Sequence, residues 1–419
     1  MEIPKGYKQS KVGIIPEDWQ TRNISSCCTI KARIGWQGLT KSEYLDNGDY
    51  LLITATDFEN GFINWASCFY VSEERYLQDT NIQIQPGDVL ISKDGTIGKV
   101  AFLPTIPKPG TLNSGVFVVR PKNGFKIDRT FLSLIFKSVW FKEFIDQLTA
   151  GSTIVHLYQK DFVKFNLVFP ESFDEQKRIA DAISDVDELN AALNQQIDKK
   201  RQIKEGAMQQ LLTGKTRLPG FTEPWKEIIF KDLYKVASEG GTPSTNNNSY
   251  YDNGDIPFVK IEDTKNKYID RVESYITKLG LDNSSAWVIP ENNIIFTNGA
   301  TIGNVAINRI PVSTKQGILG VVIKEDFDLE FIYYILSFSS FQKDVQSKVT
   351  IGTFATIILR NLDSIILIVP QNFDEQKAIA QVLSDMDEEI RQLEAERDKY
   401  TLVKQGMMQE LLTGKIRLN

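Results

Sequence analysis

The chain of 419 residues holds one histidine, His156, and three cysteines, Cys27, Cys28 and Cys68. A single histidine removes histidine-rich metal centres and leaves a Ser-His-Asp triad little to build on. The cysteines lack C-x-x-C spacing, and adjacent Cys27 and Cys28 make a poor metal clamp, so they read as reduced structural thiols and no metal site is expected. No apolar run approaches the roughly 20 residues that cross a bilayer. The stretch Met1–Lys8 has no apolar signal core, so the expected location is cytoplasmic. Positive charge is not in surplus either: 48 basic residues face 54 acidic ones, a net −6. Residues 1–172 carry 19 basic and 18 acidic side chains, 173–218 carry 8 and 8, 219–372 carry 14 and 18, and 373–419 carry 7 and 10. None of these segments is a basic arm, so a nucleic acid would have to meet folded patches, with partners adding positive surface.

Catalytic motifs are missing as well. Gly95-Thr96-Ile97-Gly98-Lys99 tempts a phosphate-loop reading but lacks the G-x-x-x-x-G-K-[ST] spacing, and its counterpart carries Asn304 where Lys99 stands. It reads as a glycine-rich hairpin turn. There is no Phe-x-Gly-x-Gly loop, no Asn/Asp-Pro-Pro-aromatic motif and no Pro-Asp…Glu-x-Lys cluster. The chain is therefore expected to be non-catalytic and to bind no cofactor of its own.

What the sequence does have is a duplication. Residues 175–218 run from Glu175-Gln176-Lys177 to Leu211-Leu212-Thr213-Gly214-Lys215-Thr216-Arg217-Leu218. Residues 375–418 run from Glu375-Gln376-Lys377 to Leu411-Leu412-Thr413-Gly414-Lys415-Ile416-Arg417-Leu418. At this offset of 200, 23 of 44 positions are identical. Weaker echoes lie upstream: Asp46–Asp49 with Asp252–Asp255, Thr96–Ala101 with Thr301–Ala306, Trp19 with Trp225, and Pro170 with Pro370. The joint from Gly214 to Trp225 resembles the chain's end and beginning read together, which predicts neighbouring termini and an approximate two-fold internal repeat. Four segments follow: a variable domain over 1–172, a helix over 173–218, a second variable domain over 219–372 and a second helix over 373–419.

Each helix opens after a proline with an acidic turn and stops at Gly214 or Gly414. Heptad spacing gives a seam through Ile179, Ile183, Val186, Asn190, Leu193, Ile197, Lys200, Lys204, Ala207 and Leu211. The second seam runs through Ile379, Leu383, Met386, Ile390, Leu393, Arg397, Tyr400, Lys404, Met407 and Leu411. Roughly 39 helical residues span about 58 Å. A parallel in-register pair would set Lys204 against Lys404, so an antiparallel coiled coil is predicted, with Asn190 helping to fix register. Two copies of the chain could instead pair through these helices, but the duplication supplies each helix with a partner in its own chain.

Both variable domains read as mixed α/β. Strands are expected within Gly87–Gly95 and Asn292–Gly299, at 100–103 and 305–307, at 116–120 and 319–323, and at the closing segments 166–169 and 365–369. Helices are expected over about 129–147 and 328–346. The turns hold the exposed polar candidates. In the first domain these are Ser92, Lys93, Asp94, Thr96, Lys99, Asn113, Ser114, Ser152, Thr153, Tyr158, Gln159 and Lys160. In the second they are Thr242, Ser244, Lys260, Asn298, Thr301, Asn304, Thr314, Lys315, Gln316 and Thr353. Amides, hydroxyls and amines suit base edges and phosphates; turn and capping duty is the plainer use of the same residue types.

These residues resemble the specificity-subunit family of Type I restriction–modification systems over essentially the whole chain. The resemblance rests on the paired Pro…Glu-Gln-Lys…Ile-Ala helix starts, the paired Leu-Leu-Thr-Gly-Lys-x-Arg-Leu ends, Gly87-Asp88-Val89-Leu90-Ile91…Ile97-Gly98-Lys99-Val100-Ala101, and Gly241-Thr242-Pro243…Asn253-Gly254-Asp255-Ile256-Pro257. It implies two target-recognition domains, each reading one half of a split, asymmetric site in double-stranded DNA, with the helices as spacer. It also implies two docked modification subunits that use S-adenosylmethionine to methylate adenine, and restriction subunits that use ATP and Mg2+ to translocate and cleave. A repeat adaptor with no DNA role is the alternative that suits the acidic balance.

Overall fold

The computed structural model describes residues 3–150, 156–352 and 355–418. The chain divides into two compact units, Met1–Leu193 with Glu396–Asn419, and Asn194–Ala395. Each contains one strand-rich domain and a stretch of each long helix, Phe173–Leu211 and Phe373–Leu412.

In the first unit a four-stranded antiparallel sheet runs in the order Val100–Leu103, Asp88–Ser92, Val116–Pro121, Cys28–Ala32. A three-stranded sheet of Gly110–Leu112, Tyr50–Ile53 and Phe69–Val71 packs against it, and the two share a small core around Leu51, Ile53, Leu90 and Leu112. The predicted helix over 129–147 is two helices, Arg129–Ile135 and Val139–Thr149. Extended Ser138 interrupts them, its hydroxyl donating to the Ile135 carbonyl at 2.6 Å. The second unit repeats the plan with a five-stranded sheet ordered Tyr234–Glu239, Ile318–Ile323, Asn293–Thr297, Val305–Asn308, Tyr268–Ile269. Its helices, Leu329–Ser337 and Ser339–Ser347, break at extended Phe338. Cys28 and Cys68 are buried, and burial pushes both thiols up to about 12.

The repeated Glu-Gln pair explains itself in the packing. Gln176 is buried; its amide donates to the Pro170 carbonyl at 2.9 Å and its carbonyl accepts from the Asp128 N–H at 2.9 Å. Gln376 does the same with Pro370 at 3.0 Å and Asp328 at 2.9 Å. Asp128 and Asp328 in turn cap the next helices through the amides of Phe131 and Phe331. One side chain thus ties the closing strand, the long helix and the domain helix together. The preceding glutamate receives an arginine fork: Glu175 from Arg417 at 2.6 and 2.7 Å, and Glu375 from Arg217 at 2.6 and 2.7 Å. Tyr7 Oη donates to the Gly414 carbonyl and Arg417 also grips Asp18, so chain start and chain end meet within the first unit.

Within each unit the helix stretches run antiparallel. In the first unit Lys404 pairs with Asp187. In the second, Lys204 pairs with Asp387, Lys200 with Glu389 at 2.6 Å and Arg201 with Glu394 at 2.5 Å. Ile179, Ile183, Leu193, Ile197, Ile379, Leu383, Ile390 and Leu411 are buried. Val186, Asn190, Met386, Leu393 and Arg397 are half-buried. Lys200 departs from the predicted seam: it is exposed, because its long side chain reaches Glu389 at the rim. The Asn190 carbonyl oxygen is buried without a hydrogen-bond partner. Left-handed Gly214 and Gly414, at φ 68° and 72°, lie just past the helix ends.

The two units differ in where a buried amine is held. Phe102 N–H donates to the Gly61 carbonyl, and Ile307 N–H donates to that of Lys267, which makes positions 61 and 267 equivalent. In the first unit the amine beside this position comes from the helix: a side chain on Gly61 would sit 2.6 Å from Lys137 Nζ. Burial pushes the Lys137 amine down. In the second unit the helix carries Ser337 at that place and the amine is that of Lys267, bonded to Tyr334 Oη at 2.8 Å and Glu330 at 2.5 Å.

Candidate nucleic-acid interface

In both units three turns meet at one end of the main sheet, held by the same backbone bonds. In the first unit Lys93 N–H donates to the Gly115 carbonyl and Leu157 N–H donates to the Lys93 carbonyl, both at 2.9 Å. In the second, Asn298 N–H donates to Gly317 at 3.0 Å and Ile357 N–H donates to Asn298 at 2.9 Å. The frame is common, but the side chains on it differ. Lys93 stands where Asn298 does, Asn113 where Lys315 does, Ser114 where Gln316 does, and Tyr158 where Ile358 does.

The first turn, 93–99, is the predicted hairpin, with Gly95 and Gly98 at positive φ. Thr96, Lys99 and Lys160 are exposed; Lys93, Asp94, Asn113 and Ser114 are half-buried. Ser92 is not an exposed candidate. It is fully buried, donates to the Thr96 carbonyl at 2.6 Å and accepts from Lys99 N–H at 2.9 Å, so its hydroxyl is consumed in shaping the turn. Asn113 likewise spends its side-chain carbonyl on Gly115 N–H. The Lys93 amine lies 5.2 Å from the Phe117 ring centre, and burial holds it below the usual lysine range. Asp94 contacts His156, whose ring lies 4.5 Å from that of Tyr158, and Lys160 lies over Tyr158 at 5.4 Å. Gln159 is exposed and donates to the Ile30 carbonyl at 3.1 Å.

In the second unit Thr242, Ser244, Lys260, Thr301, Lys315 and Gln316 are exposed. They converge because Gln316 N–H reaches Thr242 Oγ1 and Lys315 N–H reaches the Val259 carbonyl beside Lys260. Close approach explains the Gly240-Gly241 pair preceding Thr242: a Cβ on Gly240 would lie 2.0 Å from the Thr314 carbonyl oxygen. Three candidates differ from expectation. Asn298 is buried, with its amide on the Ile357 carbonyl; Thr314 is buried, with its hydroxyl on the Ile318 carbonyl; half-buried Asn304 donates to Thr264 Oγ1. Each side chain satisfies a backbone or core acceptor that the turn would otherwise strand. Ser152, Thr153 and Thr353 lie outside the described residues.

Two further residues lie at this end, His156, beside Asp94 and Tyr158, and Arg360. Arg360 is exposed and matches Lys160 at the same offset of 200 that relates the helices, a signal available from the duplication. Among the described residues no group of three or more His, Cys, Asp or Glu could hold a metal ion, and no helix is long and apolar enough to cross a membrane.

Comparison with known proteins places this architecture. A protein of Methanocaldococcus jannaschii named a putative type I restriction enzyme MjaX specificity subunit is 25% identical over 99% of this chain and 97% of its own length. The MjaVIII specificity subunit of the same organism is 25% identical over 96% and 94%. The crystal structure of a Type I restriction–modification S subunit from M. genitalium superposes with a TM-score of 0.59 at 15% identity, covering 98% of each chain, a likeness of fold. The family model for the Type I restriction modification DNA specificity domain matches residues 16–202 and again 222–399, and the chain belongs to that family.

Proposed function

We propose that the chain is the DNA sequence-specificity subunit of a Type I restriction–modification complex, in which residues 1–172 and 219–372 are target-recognition domains and 173–218 and 373–419 form the spacer. The observation that carries this reading is the shared backbone frame with unlike side chains at the sheet end of each unit. Two readers of one build with different polar lettering suit two unlike half-sites of a split target. The side chains proposed to meet DNA are Lys93, Asp94, Thr96, Lys99, Ser114, Tyr158 and Lys160 in one reader, and Thr242, Ser244, Lys260, Thr301, Lys315, Gln316 and Arg360 in the other. The chain itself supplies no catalytic group. Two modification subunits dock on it and bring S-adenosylmethionine, and restriction subunits bring ATP and Mg2+ chemistry. The spacer sets the gap between the half-sites.

The test is to map methylated adenines in DNA exposed to the chain and its modification subunit. A split motif with a fixed gap is expected; unselected methylation would favour the adaptor reading. Exchanging residues 1–172 for the reader of another family member should alter one half-site only, and a change in both would refute the modular assignment.

A further inference from the structure

The duplication provides an internal control for surface that is bare in one unit and covered in the other. In the second unit the strands Trp225–Ile229 and Ile366–Pro370 pair antiparallel, with Ile229 opposite Ile366 and Glu227 opposite Ile368. These four side chains share the outward face, and Ile229, Ile366 and Ile368 are 40%, 54% and 53% exposed. Single exposed apolar residues are ordinary; three adjoining isoleucines on one sheet face mark a contact surface.

On the equivalent face of the first unit, half-buried Asn23 and Asn166 stand where Ile229 and Ile366 do, and the remaining pair is closed. There the strands Trp19–Asn23 and Asn166–Pro170 pair in the same register, placing Thr21 opposite Val168. Val168 is 1% exposed and the Thr21 hydroxyl is buried. The hairpin Tyr7–Ser10 and Gly13–Pro16 supplies the cover: buried Ile15 joins the same core as Trp19 and Val168, and Val12 packs against it. The joint that leads into Trp225 forms no such hairpin. The covering hairpin is β-branched and basic, with Val12, Ile14 and Ile15 beside Lys5, Lys8 and Lys11 and no acidic residue from Ile3 to Pro16. The bare face is flanked by exposed Glu223 and Glu227.

We infer that the Ile229/Ile366/Ile368 face is a docking surface for a basic, β-branched extended segment of the modification subunit, which lies there as the hairpin lies on the first unit. The inference rests on the proposed place in a complex and adds an asymmetry to it. Because the equivalent face carries two asparagines and the chain's own hairpin, only one docked subunit makes this contact. The two modification subunits then differ in how firmly they are held.

The test pairs Ile366→Asn with Ile368→Asn, which gives the face the polar character of Asn166 without touching the core side of the strand. Circular dichroism and thermal unfolding of the full chain should be unchanged. Titration with the modification subunit should show one of two binding steps weakened about tenfold or more. A photo-crosslinker at position 366 in the assembled complex should trap a Lys/Arg-containing, Ile/Val-rich stretch of that subunit. Unchanged titration, or a crosslink only to a second copy of this chain, would overturn the inference. Motif mapping with the wild-type chain tests the functional reading separately, so failure of one is not mistaken for failure of the other.

Discussion

Removing either arginine of the two helix-start forks should loosen the first turns of the adjoining helix, and the two removals should not cost the same. Glu375 is 1% exposed and accepts two charge-assisted bonds from Arg217 and a third from Trp225 Nε1 at 3.3 Å. Stripping one partner from a buried ion pair costs about 3–5 kcal/mol, because the remaining charge stays desolvated. Arg217→Ala leaves Glu375 the indole donor, which puts its cost near the lower end, about 3 kcal/mol. Glu175 is equally buried, but among the described residues no indole reaches it; Trp19 Nε1 is buried without a partner. Arg417→Ala also frees Asp18, so its cost should approach about 5 kcal/mol. Native-state hydrogen exchange at residues 176–183 and 376–383 reads each opening free energy locally, without assuming that the whole chain unfolds in one step. Adding Glu175→Gln to Arg417→Ala, or Glu375→Gln to Arg217→Ala, should recover much of the loss. Losses below about 1 kcal/mol, strict additivity of the paired changes, or full rescue by lysine would refute the reasoning, since lysine lacks the planar fork.

Four further outcomes are expected. Asn190→Leu should raise the stability of the first unit by about 1 kcal/mol in denaturant titration, since it replaces a buried carbonyl that has no donor. Lys204→Asp should destabilise the second unit by about 1 kcal/mol, and adding Asp387→Lys should restore it, the pair being only partly buried. Hydrogen bonds from Thr40 and Arg75 hold Glu43 down at about 2, so its contribution to the 40–44 turn is complete above the ordinary value of 4.5 and lost as pH falls towards 2; Glu43→Gln should flatten that acid limb when amide exchange of the turn is followed against pH. In the assembled complex, Lys99→Ala and Lys315→Ala should each reduce the slope of log affinity against log salt by about 0.9, whereas Ser114 and Gln316 substitutions should relax one half-site each at unchanged slope.

The helices were legible because repetition and heptad spacing are properties of the chain itself. The antiparallel sense followed from one pair of lysines, Lys204 and Lys404, and each now faces an aspartate that the sequence also repeats. The strands around Asp88–Ser92 and Val100–Leu103 were legible from apolar runs punctuated by glycine. The breaks at Ser138 and Phe338 were not, since one extended residue between two apolar helical stretches leaves no stronger mark than the serines and lysine beside it, which a single helix would also tolerate. Burial of Ser92, Asn298 and Thr314 was also hidden. A polar residue at a strand end looks the same in sequence whether it faces solvent or holds the turn together from within, and only the neighbouring backbone acceptors decide. The Glu-Gln pair at each helix start was visible as a repeat, but its reason, a clamp on a proline carbonyl and a distant cap, needed coordinates.

The amine beside Gly61 and Lys267 has a bearing on how such genes can be reshuffled. One reader keeps its ammonium on the helix and leaves a hydrogen on the opposing loop; the other keeps it on the loop and a hydroxyl on the helix. A crossover falling between the loop and the helix would join two lysines in one half-buried space, or none. Viable recombinants should therefore inherit the stretch from 61 to 137, or from 267 to 337, from a single parent, so that a new DNA specificity arrives as a whole block.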